Sequence, residues 1–316
     1  MVSVLVPFYN EEESIRPLYG ALKEVMEALG RPYEIIMVDD GSTDQTLEII
    51  ETLYEQDKTI TVVGFRRNYG QTAAFAAGFA VAKGGVIVTL DGDLQNDPKD
   101  IPMLLKEIEH CDIVSGWRKD RKDRFLTRRL PSMLANMLIS KVTGVKLHDY
   151  GCSLKAYRAD LVKKINLYGE MHRFIPAVAN TVGARVCEVV TSHHPRKYGR
   201  SKYGLSRTVK VFLDLITVKF LQNFSTKPIQ AFGPIGLLSV GSGFLISFYL
   251  TFDKFYYGRD IGGRPLLLLG VLLIIVGVQL IGMGLLGEML ARTYHESQNK
   301  PIYHADKILE SQVQPD

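Results

Sequence analysis

Short apolar runs alternate with helix-like segments along the first third of the chain, and this alternation restricts the fold more than any other feature. The apolar runs are Val2–Pro7, Tyr33–Val38, Ile60–Phe65, Val86–Leu90 and Asp112–Ser115. The segments with helical periodicity are Ser14–Leu29, Thr43–Tyr54, Gln71–Ala82 and Pro98–His110. This order predicts an α/β domain with a mostly parallel sheet. Ser42 or Thr43, and Asp97 before Pro98, are expected to cap two of the helices.

Two acidic residues follow the fourth apolar run directly. Asp91 and Asp93 are separated only by Gly92. Ligands of open α/β folds bind at the carboxyl edge of the sheet, so this pair can hold Mg²⁺ or Mn²⁺ against a diphosphate. Asp-Gly-Asp is also favourable turn chemistry, and the triplet alone leaves a plain turn as the alternative.

Polar loops also follow the first three apolar runs. Their sequences are PFYNEE at 7–12, DDGSTD at 39–44 and FRRNYGQ at 65–71. Carboxylates and amides in such loops can bind a base and a ribose, and Gly41 can let backbone approach a ligand. Turn and cap roles are the alternative for each loop taken alone. Three successive loops should therefore meet at one edge of the sheet with Asp91 and Asp93.

Two long apolar segments lie near the C-terminus. Ile229–Phe252 and Leu266–Gly287 contain no Lys, Arg, Asp or Glu, and the 316-residue chain is 46% hydrophobic. Twenty or so helical residues, rising about 1.5 Å each, cover the roughly 30 Å hydrocarbon core of a bilayer. The sequence predicts two transmembrane helices, with a buried helical hairpin as the alternative. Basic residues before the first segment and after the second predict that both termini are cytoplasmic, and no signal peptide is expected.

Two amphipathic stripes and three cysteines add further expectations. The stripes, within Phe125–Val142 and Val209–Phe224, suit helices that lie flat on a membrane surface or face a core. The cysteines, Cys111, Cys152 and Cys187, are odd in number and widely spaced. We expect them to be reduced thiols and not a disulfide framework or a zinc site.

The converging loops, together with Asp91, Asp93 and Gln95, resemble the GT-A fold of glycosyltransferase family 2. The run Asp91-Gly92-Asp93-Leu94-Gln95 is similar to the Asp-x-Asp-x-Gln variant of the dolichyl-phosphate mannose synthase branch. With the two-segment tail, the chain looks most like bacterial polyisoprenyl-phosphate (bactoprenol) glucosyltransferases. The resemblance covers residues 1 to 205, which would form a cytoplasmic Rossmann-like catalytic domain. An amphipathic helix at 206–228, a membrane hairpin at 229–287 and a cytoplasmic tail at 288–316 would follow.

The resemblance also implies roles for individual residues. It places Asp91 and Asp93 on the metal, and it assigns Asp93, Gln95 and Asp149 to catalysis. The acceptor phosphate would meet Arg118, Arg128 and Ser132. A solvated basic face is the alternative for Arg128, and a cap or turn role is the alternative for Asp149. The nucleotide-sugar would meet Pro7, Tyr9, Glu11, Asp39, Asp40, Arg66, Asn68, Asp91, Arg200 and Lys202.

The loop RKYGRSKYG at 196–204 matches a mobile flap of the family. Its cations Arg196, Arg200 and Lys202 suit a lid that closes over a diphosphate. Attraction of a basic juxtamembrane loop to anionic lipid is the alternative.

The function implied is inverting, metal-dependent transfer of a hexose to a polyisoprenyl phosphate at the cytoplasmic face of the cell membrane. Glucose from UDP-glucose is the first expectation, and the cofactor would be Mg²⁺ or Mn²⁺. The expected partners are the nucleotide-sugar, the lipid, the membrane and further copies of the chain, but not nucleic acid. A phosphate monoester is already largely a dianion at pH 7, so no strong general base is required.

Two other functions compete with this one. A processive polysaccharide synthase would carry Gln-x-x-Arg-Trp, but the one tryptophan, Trp117, follows Val-Ser-Gly. A membrane-tethered nucleotide-sugar sensor without turnover, or a receiver-like module using Asp39 and Asp40, would not need the basic acceptor segment.

Overall fold

The computed structural model describes residues 1–119, 130–165, 167, 171–181, 183–198, 217, 229–258, 260, 264–297 and 305–309. The chain divides into two compact units, Met1–Lys219 with Pro301–Asp316, and Phe220–Lys300. The amphipathic helix predicted at 206–228 lies outside the described residues apart from residue 217.

The start of the first unit follows the predicted alternation. Its elements are β1 (Val2–Phe8), α1 (Ile15–Ala28), β2 (Tyr33–Asp39), α2 (Thr46–Gln56), β3 (Ile60–Phe65), α3 (Gln71–Val81), β4 (Val86–Thr89), α4 (Ile101–Glu107) and β5 (Ile113–Trp117). A 3-10 turn at Pro98–Asp100 leads into α4. Each predicted strand and helix is present, with ends shifted by at most a few residues.

One predicted helix cap is confirmed and the other is wrong. The Asp97 carboxylate accepts a hydrogen bond from the backbone N–H of Lys99 at 3.0 Å. Neither Ser42 nor Thr43 caps α2, because the helix begins only at Thr46, whose N–H donates to the Asp44 carboxylate at 3.0 Å. The Ser42 hydroxyl instead accepts from the N–H of Asn10 at 2.9 Å, so this loop is joined to the loop after β1.

The rest of the first unit completes one eight-stranded sheet. The remaining elements are α5 (Leu130–Thr143), β6 (Lys155–Arg158), α6 (Ala159–Val162), a 3-10 turn (Met171–Phe174), α7 (Ile175–Thr181), β7 (Val186–Val190) and β8 (Ala305–Leu309). The strand order is β7-β5-β6-β4-β1-β2-β3-β8. β6 and β8 run antiparallel to their neighbours and the other pairs are parallel, which confirms a mostly parallel α/β sheet.

The core forms where helices pack on this sheet. Val4, Leu5 and Val6 of β1 are completely buried, as expected for a central parallel strand covered on both faces. One face of α1, carrying Ile15, Leu18 and Leu22, is buried at helical spacing. The apolar runs form strands of this sheet, because helices on both faces of the sheet bury the side chains on both sides of each strand.

The C-terminal segment contributes a strand that the sequence did not predict. β8 pairs antiparallel with β3, with Ile308 opposite Val63. The segments that precede and follow the second unit in the sequence thus both contribute strands to the same sheet.

The second unit contains two long helices, α8 (Ile229–Tyr257, 29 residues) and α9 (Pro265–Ser297, 33 residues). A Cβ built on Gly243 would lie 2.4 Å from the backbone oxygen of Gly270, so glycine permits the close approach of the two helices. In the part of the chain that the structure describes, no helix combines the length and apolarity needed to cross a membrane. The two transmembrane helices remain a prediction.

Two of the three cysteines are paired, and the expectation of three reduced thiols is wrong for them. Cys111 precedes β5 and Cys187 lies in the neighbouring β7, and the two form a disulfide with their Cα atoms 6.1 Å apart. Cys152 is free and buried. The pair is separated by 76 residues in the chain, and only the β5–β7 pairing brings them together.

We therefore predict unequal thiol labelling. After denaturation without reductant, alkylation should modify Cys152 alone, and after reduction it should modify all three cysteines. Intact-mass spectrometry counts the labels, and Cys152→Ala should lower both counts by one. Three labels before reduction would contradict the pairing.

Candidate functional site

The polar loops after β1, β2 and β3 lie at the same edge of the sheet as the turn after β4, as predicted. β1 lies between β2 and β4, and all three strands are parallel. Phe8 at the end of β1 is in register with Asp39 at the end of β2. Asp91 and Asp93 follow β4 closely on the other side of β1.

The Asp91–Asp93 turn is fixed against the end of β1. A Cβ built on Gly92 would lie 2.6 Å from the Phe8 ring and 3.1 Å from the Pro7 carbonyl oxygen. The Ser14 hydroxyl donates to the Gly92 carbonyl at 2.7 Å. Glycine therefore separates the two acids because no larger residue fits at this contact.

The two carboxylates have different neighbours. Asp91 accepts a hydrogen bond from the Gln71 side-chain amide at 2.6 Å, and Asp93 accepts from the N–H of Gln95 at 3.2 Å. Burial, and then the nearby charge of Asp91, raises the pKa of Asp93 to about 6. Crowding of acidic groups in a half-buried turn favours a bound cation.

The chemistry of these side chains suits Mg²⁺ or Mn²⁺. Magnesium is commonly held by one or two carboxylates together with substrate phosphates, so two aspartates are a sufficient protein contribution. Among the described residues, a cluster of three groups with ligand atoms occurs only at Glu107, Cys111 and Cys187, and the disulfide between the two cysteines removes their thiolates as metal ligands. A metal at Asp91 and Asp93 would therefore take further oxygens from its substrate.

The loop after β2 contains two aspartates with contrasting surroundings. Asp39 is 1% exposed, and its Oδ2 accepts from the N–H of Ser42 at 3.1 Å. Its Oδ1 has no hydrogen-bond partner among the residues that the structure describes. A buried carboxylate oxygen without a donor is costly, so a ligand N–H or O–H would stabilise it.

Asp40 instead joins two loops of the protein. It accepts from the N–H groups of Tyr69 at 2.7 Å and Gly70 at 2.9 Å and from the Asn68 amide at 2.9 Å. Burial raises the pKa of Asp40 to about 6 in spite of these bonds. Asp40 and Asn68 bind each other within the protein. Their contacts with a nucleoside stay a prediction.

Gly41 makes a close contact within the protein. Its φ is +68°, and a Cβ there would lie 2.2 Å from the backbone carbon of Arg67. The backbone that approaches Gly41 belongs to the loop after β3. This internal contact requires a glycine, and the approach of Gly41 to a ligand stays a prediction.

Arg118 and Asp149, which were predicted to have separate roles, form one ion pair. The guanidinium donates to both carboxylate oxygens, at 2.7 and 3.0 Å. Their side chains are 12% and 5% exposed. Glu188 of β7 accepts from the backbone N–H groups of His148 at 2.8 Å and Asp149 at 3.0 Å, which holds the loop that carries Asp149.

The other predicted residues are placed as follows. Pro7 is the last residue but one of β1, Tyr9 and Glu11 follow the strand, and Arg66 is exposed after β3. Ser132 lies in α5. Arg128, Arg200 and Lys202 lie outside the described residues.

Sequence reasoning did not assign functions to Gln71 or Glu188. Gln71 is the first residue of α3 and binds Asp91, which is 20 residues further along the chain. Glu188 meets residues about 40 positions before it. Gln71 ends the FRRNYGQ loop and Glu188 lies in β7, but nothing in the local sequence indicates their partners, so only the folded sheet reveals these contacts.

Known proteins resemble both the sequence and the fold. Residues 3–166 match the sequence model of glycosyl transferase family 2. The chain is 48% identical over 318 residues to a dodecaprenyl-phosphate galacturonate synthase of Rhizobium johnstonii, covering 99% of this chain and 94% of that protein. It is 38% identical over 312 residues to an undecaprenyl-phosphate 4-deoxy-4-formamido-L-arabinose transferase of Pseudomonas paraeruginosa, covering 98% and 90%.

A solved structure supports the same fold. Glucosyl-3-phosphoglycerate synthase from Mycobacterium tuberculosis, in complex with Mn²⁺ and UDP-glucose, matches with a TM-score of 0.55 and 16% identity. The match covers 70% of this chain and 78% of that one. The first unit therefore has the GT-A fold.

The contact at Gly92 leads to a stability prediction. Gly92→Ala should lower the free energy of unfolding by about 1–3 kcal/mol, because the added methyl group overpacks against Phe8. Gly85→Ala is the matched control, since a Cβ there meets nothing within 4 Å. Thermal unfolding of both variants in one detergent measures the difference, and equal midpoints would contradict the packing argument.

Proposed function

The chain belongs to glycosyl transferase family 2, and we propose that it transfers a sugar from a nucleotide-sugar to the phosphate of a polyisoprenyl phosphate. The observation that carries this proposal is the position of Asp91 and Asp93 at the carboxyl edge of the sheet. The chain that holds this pair is 48% identical to a dodecaprenyl-phosphate galacturonate synthase. A sensor would not need acids crowded there, because neutral donors bind a nucleotide without that electrostatic cost.

The donor would occupy the edge formed by the loops after β1, β2 and β4. Asp39 supports this placement, since its buried Oδ1 can accept a hydrogen bond from a base or ribose. Pro7, Tyr9 and Glu11 would line the same nucleoside site, and Arg66 is the exposed cation after β3. A divalent ion held by Asp91 and Asp93 would neutralise the charge that grows on the departing diphosphate.

The acceptor would be activated by its own charge. A phosphate monoester has a second pKa near 6, so it reaches neutral pH mostly as a dianion and can attack the anomeric carbon without a base. Asp149 suits an orienting role better than a basic one, because protonation would break its bidentate pair with Arg118. We infer that Asp149 presents Arg118 to the lipid phosphate and that the transfer inverts the anomeric centre.

The sugar is the finer part of the proposal. The names of the two relatives, galacturonate and 4-deoxy-4-formamido-L-arabinose, favour a modified sugar over the glucose that the sequence resemblance implies. We place galacturonate first, because the relative with that name shares 48% identity with this chain. Glucose is the second candidate.

The reaction would take place at a membrane, where a polyisoprenyl phosphate resides. α8 carries large apolar side chains that are exposed, such as Phe248 at 63% and Phe255 at 82%. Such a surface suits lipid contact. β3 precedes α8 and β8 follows α9 in the sequence, and their pairing in one sheet supports a membrane hairpin with both ends in the cytoplasm.

The first prediction concerns metal-dependent turnover. Asp93→Asn should lower glycolipid synthesis by about 10²-fold or more, since an electrostatic contribution to the transition state of this size is lost. Asp160→Asn, an exposed acid on α6, is the control and should keep full activity. Mass spectrometry of the product, with UDP-galacturonate and UDP-glucose offered with undecaprenyl phosphate, identifies the sugar. Equal activity in both variants would refute the assigned metal site.

The second prediction separates acceptor from donor. Asp149→Asn should raise KM for the polyprenyl phosphate about tenfold, with little change for the nucleotide-sugar, because Arg118 loses a charged partner. Arg118→Lys should behave alike, as lysine cannot form the bidentate pair. Initial rates at varied concentrations of each substrate measure both constants. A rise confined to KM for the nucleotide-sugar would contradict the assignment of Arg118 and Asp149 to the acceptor.

A further inference from the structure

One cation already occupies the acidic edge of the sheet. The Arg196 guanidinium donates to Glu11, and its Nη1 lies 3.6 Å from the Asp93 carboxylate. The three side chains are only 11–17% exposed. The guanidinium therefore bridges a residue of the predicted nucleoside site and a residue of the predicted metal site.

Arg196 is brought there by its own chain segment. Residues 191–198, here called the strap, follow β7 and run beside the residues that follow Asp93. The N–H of His194 donates to the Gln95 carbonyl at 2.9 Å, and the His194 ring lies 3.0 Å from the Asp97 carboxylate. The N–H of Ser192 donates to Asp100 at 2.6 Å. These contacts fix the start of the strap, so Arg196 is not an exposed side chain that meets Asp93 by chance.

The position of Arg196 conflicts with a metal ion on the same carboxylate. A guanidinium stays charged under all conditions that a protein survives, so it cannot relieve repulsion by losing its proton. A divalent ion bound to Asp93 would have to displace it. A diphosphate at the same edge would offer the displaced guanidinium a new partner, since arginine binds phosphate oxygens bidentately.

We propose that Arg196 is a resident counter-cation that competes with the divalent ion for Asp93 and moves away when the donor diphosphate arrives. This inference rests on the proposed function, because it takes the metal and the nucleotide-sugar from it. As a consequence, the metal and the nucleotide bind cooperatively. Each of them weakens the contact between Arg196 and Asp93, and this makes binding of the other more favourable. Such coupling is reciprocal between the two ligands.

The test is Mn²⁺ binding to the full chain in detergent, followed by the electron paramagnetic resonance signal of free Mn²⁺. Without nucleotide, Arg196→Ala should bind Mn²⁺ about fivefold or more tightly than the unmodified protein, which is the lower end of usual coupling. Arg196→Gln keeps side-chain donors without the charge and should behave like Arg196→Ala. Arg196→Lys should stay close to the unmodified protein. Lys99→Ala removes an exposed cation of the 3-10 turn before α4 and should change the affinity less than about twofold.

The same titrations with UDP, and with GDP as the other base, complete the test. The nucleotide should tighten Mn²⁺ binding by a smaller factor in Arg196→Ala than in the unmodified protein. Unchanged or weaker Mn²⁺ binding by Arg196→Ala without nucleotide would overturn the competition, even if both proteins bind Mn²⁺ with UDP. Failure of every variant to bind Mn²⁺ under any of these conditions would overturn the metal site of the proposed function as well.

Discussion

The half-buried negative charge of Asp91 and Asp93 is the interaction on which the rest of the site depends. The parallel order of β2, β1 and β4 brings the two acids beside the residues that follow β1, and the Gly92–Phe8 contact holds them there. Burial, and then the charge of Asp91, oppose the ionisation of Asp93 and raise its pKa to about 6. This charge has to be neutralised by some cation, and the strap supplies one in Arg196. A divalent ion with a diphosphate is a second way to neutralise it.

Much of this arrangement could be predicted from the sequence, because it depends on local patterns. Apolar runs of four to six residues between amphipathic segments predicted β1 to β5 and α1 to α4. Since parallel strands present their carboxyl ends at one edge, the convergence of Asp39 and Asp91 followed from strand order alone. Asp97 before Pro98 likewise predicted the start of a helix, because an aspartate side chain can accept a hydrogen bond from a free backbone N–H of the first turn.

The features that were missed depend on contacts between distant parts of the chain. Arg118 and Asp149 are 31 residues apart, and the sequence motifs indicated separate roles for them. Arg118 follows β5 and Asp149 precedes β6, and the antiparallel pairing of these two strands brings them together. Cys111 and Cys187 become neighbours only through the β5–β7 pairing. β8 follows two long helices and returns to β3 without an alternating pattern long enough to indicate a strand. The packing of the loop after β3 on Gly41 also could not be foreseen from the sequence.

The most direct test of the central claim is the position of the metal in crystals grown with Mn²⁺ and UDP. Anomalous scattering at the manganese edge should give one strong peak between the carboxylates of Asp91 and Asp93, at about 2.0–2.3 Å from their oxygens. The Arg196 guanidinium should have left Asp93 in the same crystals. The absence of a peak at these carboxylates, with Arg196 still bound to Asp93, would contradict the account.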